Sequence, residues 1–286
     1  MRGKSLTVTV AIAVAAACAA TGAAGDGGPS PSPAQGWDGV ATANGASRYV
    51  ALTQGSTTVV ASVRTRGGRV ERWGWVKGAW GIPVGAFNAP PEGLSRDGRT
   101  LLLAGVETIR PETRVSRFAL VGTKQLRLRK VVTLRGAFTY DALSPDARTL
   151  YLIQYLPSTG DVRYNVRAYD VDAGRLAPGA IVDKREADEA MQGSPMSRAT
   201  SPNGAWVFTL YSRPGEPFVH ALDTVNRSAV CIDLPWKDVD DAIYNVRLRL
   251  EQGGRRLVLQ QGKSVRLAVV DTRTWKVRAF RKPVAR

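Results

Sequence analysis

The chain has 286 residues, with 40 lysines and arginines against 24 aspartates and glutamates, which gives a formal net charge of +16. One histidine and two cysteines exclude a histidine-rich metal site and a core held by several disulfides. So positive a charge favours anionic neighbours such as lipid headgroups, phosphate-bearing wall polymers or acidic proteins.

The first 24 residues have the pattern of an export signal. Arg2 and Lys4 precede an apolar run from Ser5 to Ala20, and small residues follow. The run is shorter than the ~20 apolar residues of a transmembrane helix, so the pattern predicts a secretory signal peptide over residues 1–24. Its removal leaves a formal charge of +14. We therefore expect an exported protein, either secreted or held at the cell surface.

Cys18 is the candidate lipidation site. Ala16 and Ala17 place small residues directly before it, as in a bacterial lipoprotein signal, but Ala15 stands where such signals usually carry leucine or valine. Two interpretations stay open: a lipoprotein anchored through Cys18, or a cleaved signal in which this cysteine is only a small apolar residue. The other cysteine, Cys231, lies in an apolar run and is predicted to be buried.

The composition changes twice after the signal. Residues 25–36 are rich in glycine, proline and serine with almost nothing to bury, which predicts a linker. From 37 to 286 the chain is rich in valine, leucine, arginine and threonine, with strand-length alternations and no sustained helical period. This part is predicted to be one all-β domain.

One turn-and-strand phrase recurs through that domain. Its clearest copies are LSRDGRTLLL at 94–103 and LSPDARTLYL at 143–152, and looser copies surround Asn44, Asn203 and Gly253. Successive copies are spaced by 53, 49, 57 and 50 residues. A regular period of this size indicates a repeated structural unit.

The phrase has the chemistry of a tight hairpin. Proline, aspartate or asparagine, and glycine are the residues such turns require, so Asp97 and Asp146 are predicted to be turn residues and not catalytic acids. A second phrase is an apolar strand that ends in aspartate before another strand, as at Asp223 and Asp271. One unit is therefore predicted to be a four-stranded antiparallel meander.

The phrase at 143–152 resembles the repeat of the TolB-like and YncE-like bacterial propellers, although the copies lack the Gly-His and Trp-Asp pair of true WD40 repeats. The resemblance implies an all-β fold, a β-propeller. Five units fill residues 37–286, which favours five four-stranded blades, and six blades is the alternative. The longest spacing predicts an inserted loop around Asp183 to Ser197. Because propellers host many activities, the resemblance implies no particular one.

Basic residues are concentrated at the C-terminal end. Residues 247–286 contain twelve lysines and arginines, opposed only by Glu251 and Asp271. Arg247 and Arg249 alternate with leucines, which predicts that both lie on one strand face. Such a surface either docks an anionic polymer or membrane headgroups or is an ordinary solvated surface. The candidate binding patch consists of Arg247, Arg249, Arg255, Arg256, Lys276 and Arg278.

Trp73 and Trp75 form the second candidate site, because their spacing places them on one strand face. With Trp80 nearby, the alternatives are stacking on a ligand such as a sugar ring, or packing between blades. His220 alternates with Phe218 and Leu222, which predicts a hydrogen-bonded core residue without a catalytic partner.

Two acidic clusters lack the pattern of a metal loop. They lie at Asp238, Asp240 and Asp241 and at Glu186, Asp188 and Glu189, without the glycine and distal glutamate of an EF-hand. We predict no metal site and no cofactor.

The sequence as a whole predicts a noncatalytic binding or scaffold propeller, monomeric, whose partner is a protein or an anionic component of the cell envelope. The alternative is a propeller enzyme, a glycoside hydrolase or lyase, with carboxylates converging on the central channel. Nucleic acid is not an expected partner of an exported protein without a recognisable binding motif.

Overall fold

The computed structural model describes residues 30–157, 162–185, 190–213 and 215–285. There the chain forms twenty β-strands, arranged in five antiparallel four-stranded sheets, and two short 3-10 helices. Each sheet uses four consecutive strands, hydrogen-bonded in chain order. The fold is a β-propeller of five four-stranded blades, which confirms the prediction from the repeats.

The first three blades follow directly on one another along the chain. Blade 1 contains β1 (Val40–Ala41), β2 (Ser47–Gln54), β3 (Thr57–Arg64) and β4 (Val70–Lys77). Blade 2 contains β5 (Trp80–Gly81), β6 (Thr100–Gly105), β7 (Val115–Gly122) and β8 (Arg127–Arg135). Blade 3 contains β9 (Phe138–Leu143), β10 (Thr149–Tyr155), β11 (Tyr164–Asp170) and β12 (Arg175–Leu176).

Blades 4 and 5 complete the series, and their first strands contact each other, as the innermost strands of neighbouring propeller blades do. Blade 4 contains β13 (Ser194–Thr200), β14 (Trp206–Ser212), β15 (Phe218–Asp223) and β16 (Ser228–Asp233). Blade 5 contains β17 (Val246–Glu251), β18 (Arg256–Gln261), β19 (Val265–Asp271) and β20 (Val277–Ala279). The 3-10 helices cover Ile243–Asn245 and Gln252–Gly254.

The recurring phrase forms the hairpin between the first and second strands of a blade. In blade 3, Ser144 Oγ donates to Asp146 Oδ1 at 2.7 Å, and the amide of Arg148 donates to the same oxygen at 3.0 Å. In blade 2, Ser95 and the amide of residue 99 bind Asp97 Oδ1 in the same way, at 2.6 and 2.9 Å. The hydrogen bond from Ser95 holds the pKa of Asp97 below its usual value. Both aspartates are turn residues, as predicted.

Apolar clusters fill the seams between consecutive blades. The seams of blades 1 and 2, 2 and 3, 3 and 4, and 4 and 5 each have one, represented by the pairs Val60 and Leu101, Phe118 and Leu152, Tyr151 and Leu222, and Phe208 and Leu257. Within the described ranges, no apolar cluster, hydrogen bond or ion pair joins blade 5 to blade 1. The fifth seam is therefore built differently from the other four.

Part of the predicted linker belongs to the folded domain. Ala34 and Ile82 exchange two backbone hydrogen bonds of 2.7 and 2.8 Å, and the amide of Ser30 donates to the Tyr155 hydroxyl at 2.7 Å. The predicted signal peptide, with Cys18, and residues 25–29 lie outside the described residues. So does the second acidic cluster, within the insertion between β12 and β13. No helix of the described part is long and apolar enough to span a bilayer.

Candidate functional site

A loop from blade 2 crosses the central channel. It runs from Ile82 to Gly93, and its amides at Phe87 and Asn88 donate to the carbonyls of Pro195 and Met196 at 2.9 and 2.8 Å. These acceptors lie on β13, the innermost strand of blade 4, so the loop spans the axis past blade 3. The loop therefore occupies part of the channel, and Ala86 within it is fully buried.

Arg198 on β13 holds two carboxylates at the axis. Its guanidinium donates to Asp141 on β9 at 2.5 Å and to Glu92 of the crossing loop at 3.0 Å. It also donates to the Asp141 carbonyl, and its Nε donates to Thr209 at 3.0 Å. The side chains of Arg198 and Asp141 are 1% and 2% exposed. This axial cluster, Glu92, Asp141 and Arg198, therefore ties blades 2, 3 and 4 together.

The electrostatics of the axial cluster keep Arg198 charged. Burial alone would lower the pKa of Arg198, but the carboxylates of Glu92 and Asp141 outweigh burial and raise it. Burial raises the pKa of the neighbouring Tyr140 hydroxyl, and the Glu92 carboxylate adds to the effect. The carboxylates predicted for a propeller enzyme are present at the axis, but they are bound to an arginine.

Gly85 of the crossing loop is what lets Arg198 reach this position. A Cβ at Gly85 would lie 1.9 Å from Arg198 Nη1. The guanidinium therefore packs directly against the loop backbone, and any larger residue at 85 would displace it.

An open cavity of about 560 Å³ adjoins the axial cluster. It is lined by Glu92, Tyr140 and Arg198 and by the hairpin turns of blades 2, 3 and 4. The Glu92 side chain is 20% exposed, so it is the member of the cluster most open to solvent. The repeated turns therefore surround one mouth of the channel.

The predicted basic patch divides into two groups. By strand register, Arg247, Arg249, Arg256 and Arg278 lie on one face of blade 5, and Arg266 joins them there. The remaining two predicted residues, Arg255 and Lys276, lie in hairpin turns at one end of the blade. The arginines of the first group are exposed. The prediction that Arg247 and Arg249 share a strand face is confirmed by the register.

The tryptophans also divide. Trp80 is buried in the seam between blades 1 and 2, and its indole N–H donates to the Lys77 carbonyl at 2.7 Å. Trp73 and Trp75, on the outermost strand of blade 1, are 58% and 62% exposed. Their rings meet edge to face, with centroids 5.7 Å apart. Packing between blades therefore accounts for Trp80 and not for the exposed pair, whose role as a stacking site stays a prediction.

His220 is buried in blade 4, as expected, but its Nε2 has no hydrogen-bond partner within the described ranges. Burial lowers the pKa of this histidine. Its cross-strand partner is Cys231. The sequence predicts that Cys231 is buried, but in the structure it is only half-buried. In the part of the chain that the structure describes, no group of three acidic, histidine or cysteine side chains could hold a metal ion.

The axial cluster has no signature in the amino-acid sequence. Arg198 stands 57 residues from Asp141 and 106 from Glu92, and no local pattern links the three. Only their common position on innermost strands and on a loop that crosses the axis brings them together.

Comparisons with known proteins agree with the architecture. No protein-family model matches the sequence, and no curated protein matches it. Among solved structures, the chain is similar to the dihydro-heme d1 dehydrogenase NirN in complex with DHE, with 14% identity and a TM-score of 0.50 over 88% of this chain and 46% of that one. It is also similar to a putative TolB from Agrobacterium tumefaciens, with 16% identity and a TM-score of 0.46 over 84% of this chain and 78% of that one.

TolB from Acinetobacter baumannii is a further neighbour, with 13% identity and a TM-score of 0.41 over 86% of this chain and 52% of that one. At these identities the likeness concerns the fold alone. The chain spans about half the length of NirN and of this TolB.

Proposed function

We propose that the protein is a noncatalytic binding or scaffold propeller that is exported to the cell envelope and meets an anionic component there. The observation that carries the proposal is the exposed arginine face of blade 5, formed by Arg247, Arg249, Arg256, Arg266 and Arg278. Guanidinium groups bind carboxylates and phosphates through paired hydrogen bonds, which suits an anionic partner better than a neutral one.

The axial cluster supports binding over hydrolysis. A glycoside hydrolase needs one carboxyl that holds a proton and a second that is free to act as base or nucleophile. Asp141 and Glu92 both accept hydrogen bonds from the same buried guanidinium, so both carboxyl groups are engaged in ion pairs and neither is free to act on a substrate. The cluster is better suited to holding blades 2, 3 and 4 in place.

The export part of the proposal rests on the pattern of residues 1–24, and it leaves a secreted protein and a lipoprotein anchored at Cys18 as the two forms. Either form places the arginine face among the polymers and headgroups of the envelope. A protein partner with an acidic surface is the alternative occupant of the same face.

The test measures binding of the purified protein to immobilised anionic polysaccharides and to vesicles that contain phosphatidylglycerol, at increasing salt concentration. A second assay asks whether the protein cleaves the same polysaccharides. We expect binding that weakens with salt and no cleavage. Cleavage by the wild type that is lost in an Asp141→Asn variant shown by circular dichroism to be folded would support the enzyme alternative. The absence of binding to any polyanion or anionic vesicle would contradict the proposal.

A further inference from the structure

The arginine face is the face of blade 5 that is turned away from blade 4. In blade 5, Leu248, Leu257 and Val270 point to the opposite side, into the cluster shared with blade 4. Strand register places the arginines on the side that has no further blade after it in the chain. Five arginines share this side with Glu251 and Asp271, so it is strongly basic.

Solvent reaches this face as far as its innermost strand. The Arg249 side chain on β17 is 61% exposed. On β13, which is equally close to the axis, Met196 and Arg198 are 0% and 8% exposed, because packed seams lie on both sides of blade 4. Val258 on the same face is 1% exposed, and Val50 and Val63 on the free face of blade 1 are both 0% exposed. The apolar residues of these two faces are therefore covered, whereas the arginine side chains reach solvent.

Trp73 and Trp75 lie on the free face at the other end of the series. In blade 1, Trp73 is opposite Ala61 and Trp75 is opposite Val59, whereas Gly74 between them lies against Leu126 of blade 2. The tryptophans thus point away from blade 2. Arg48 shares their face, and its buried Nε has no hydrogen-bond partner among the described residues.

Because the blades follow one another around an axis, the free faces of the first and last blades face each other across one seam. We propose that this seam is a binding cleft for an anionic glycan, a sugar polymer whose units carry carboxylate or phosphate groups. The arginine face forms one wall and the Trp73–Trp75 pair forms the other. The inference rests on the proposed function, and it assigns that function a site and a ligand class.

Three properties of the walls favour a glycan. Arginines supply paired donors for carboxylate or phosphate groups. Exposed indole faces attract the weakly positive C–H groups of a sugar ring. On each wall, like residues are two apart along a strand, Trp73 and Trp75 on one and Arg247 and Arg249 on the other, roughly 6.6 Å apart. Such a repeat suits a ligand made of repeated units, and a cleft between two blades excludes a flat bilayer.

The experiment measures the affinity of the full protein for polygalacturonate, for its methyl-esterified form and for poly-L-glutamate. The ester keeps the sugar rings without the charge, and polyglutamate keeps the charge without the rings. The variants are Arg247→Gln with Arg249→Gln, and Trp73→Ala with Trp75→Ala. The matched controls are Arg127→Gln with Arg129→Gln, an exposed pair of the same spacing on blade 2, and Trp73→Phe with Trp75→Phe.

We expect polygalacturonate to bind best, and each of the two cleft variants to weaken its binding about tenfold or more. The control arginine pair should change affinity less than threefold, and the phenylalanine variant should retain most of it. Circular dichroism of each variant checks that it is folded.

Other results separate this inference from the proposed function. Binding of polyanions that neither cleft variant weakens would overturn the cleft and leave the proposed function standing. Equal binding of polyglutamate, dependent on the arginines but not on the tryptophans, would replace the glycan with an acidic protein. If the wild type binds no polyanion at all, both proposals fall.

Discussion

Arg198 and Asp141 form a buried ion pair between the innermost strands of adjacent blades, with 2.5 Å between the guanidinium nitrogen and the carboxylate oxygen. Their residues are 57 positions apart, and the crossing loop adds Glu92 to the same guanidinium. Both side chains are buried, so neither charge can return to water unless this part of the fold opens.

Asp141→Asn should destabilise the protein by about 3–5 kcal/mol, because removing one partner leaves the buried arginine charge short of compensation. Urea unfolding followed by circular dichroism measures the change. The control is Asp172→Asn, which breaks the exposed pair of Asp172 with Arg148 and should produce no measurable change. If Asp141→Asn lost as little stability as Asp172→Asn, the axial cluster would have no structural role.

His220 should make the stability of the protein fall with acid between about pH 7 and pH 5. Burial lowers the pKa of His220 in the folded state. Below the usual histidine pKa of 6.5, the unfolded chain therefore binds a proton at this residue that the folded chain does not bind. The unfolded state is then favoured by up to about 2 kcal/mol at pH 5.

Because His220 is the single histidine of the chain, one variant isolates this effect. In His220→Gln, the decrease in the free energy of unfolding from pH 7 to pH 5 should be smaller by up to about 2 kcal/mol. This difference does not depend on how much the substitution itself destabilises the protein at pH 7. Melting temperatures across this range, compared between the two proteins, are the measurement. If the melting temperatures of the wild type and the variant changed with pH in the same way, His220 would not be the cause of the acid sensitivity.

The tryptophans of blades 1 and 2 should differ in their effect on stability. Trp80→Ala removes a buried ring from the apolar cluster between the two blades and should cost about 3–5 kcal/mol. Trp73→Ala removes an exposed ring and should change stability by less than about 0.5 kcal/mol. Urea unfolding of the two variants measures the difference. A large loss of stability in the Trp73 variant would mean that this residue supports the fold.

Labelling of cells with palmitate tests the anchored form of the protein. A lipoprotein should take up the label and sediment with membranes, and Cys18→Ala should lose both properties while the chain is still made. A wild-type protein that carries no label would leave secretion as the exported form.

The repeated elements were predictable because their chemistry is local. Asp97 and Asp146 identify their turns by the neighbouring serine and amide that they bind, and the spacing between turns gives the number of blades. The strand face shared by Arg247 and Arg249 follows from alternation alone.

The sites were less predictable because they depend on where blades meet. Nothing around Arg198 indicates that a loop 106 residues earlier will bring Glu92 to it. Trp73, Trp75 and Trp80 look alike in sequence, but two lie on the outermost strand of blade 1 and are exposed, and the third lies in the seam between blades 1 and 2 and is buried. Residues 30–36 read as a linker because a proline-rich segment shows no side-chain pattern, yet Ala34 is held through its backbone.

The crossing loop also changes how the ring is completed. Propellers usually gain their cohesion when the last blade docks on the first. Here blades 2, 3 and 4 already form a closed circuit, because blades 2 and 4 touch through Phe87, Asn88 and Glu92 as well as through blade 3. That three-bladed hub does not require the fifth seam to shut. A substitution that weakens the packing between blades 5 and 1 should therefore leave the contacts among blades 2, 3 and 4 in place.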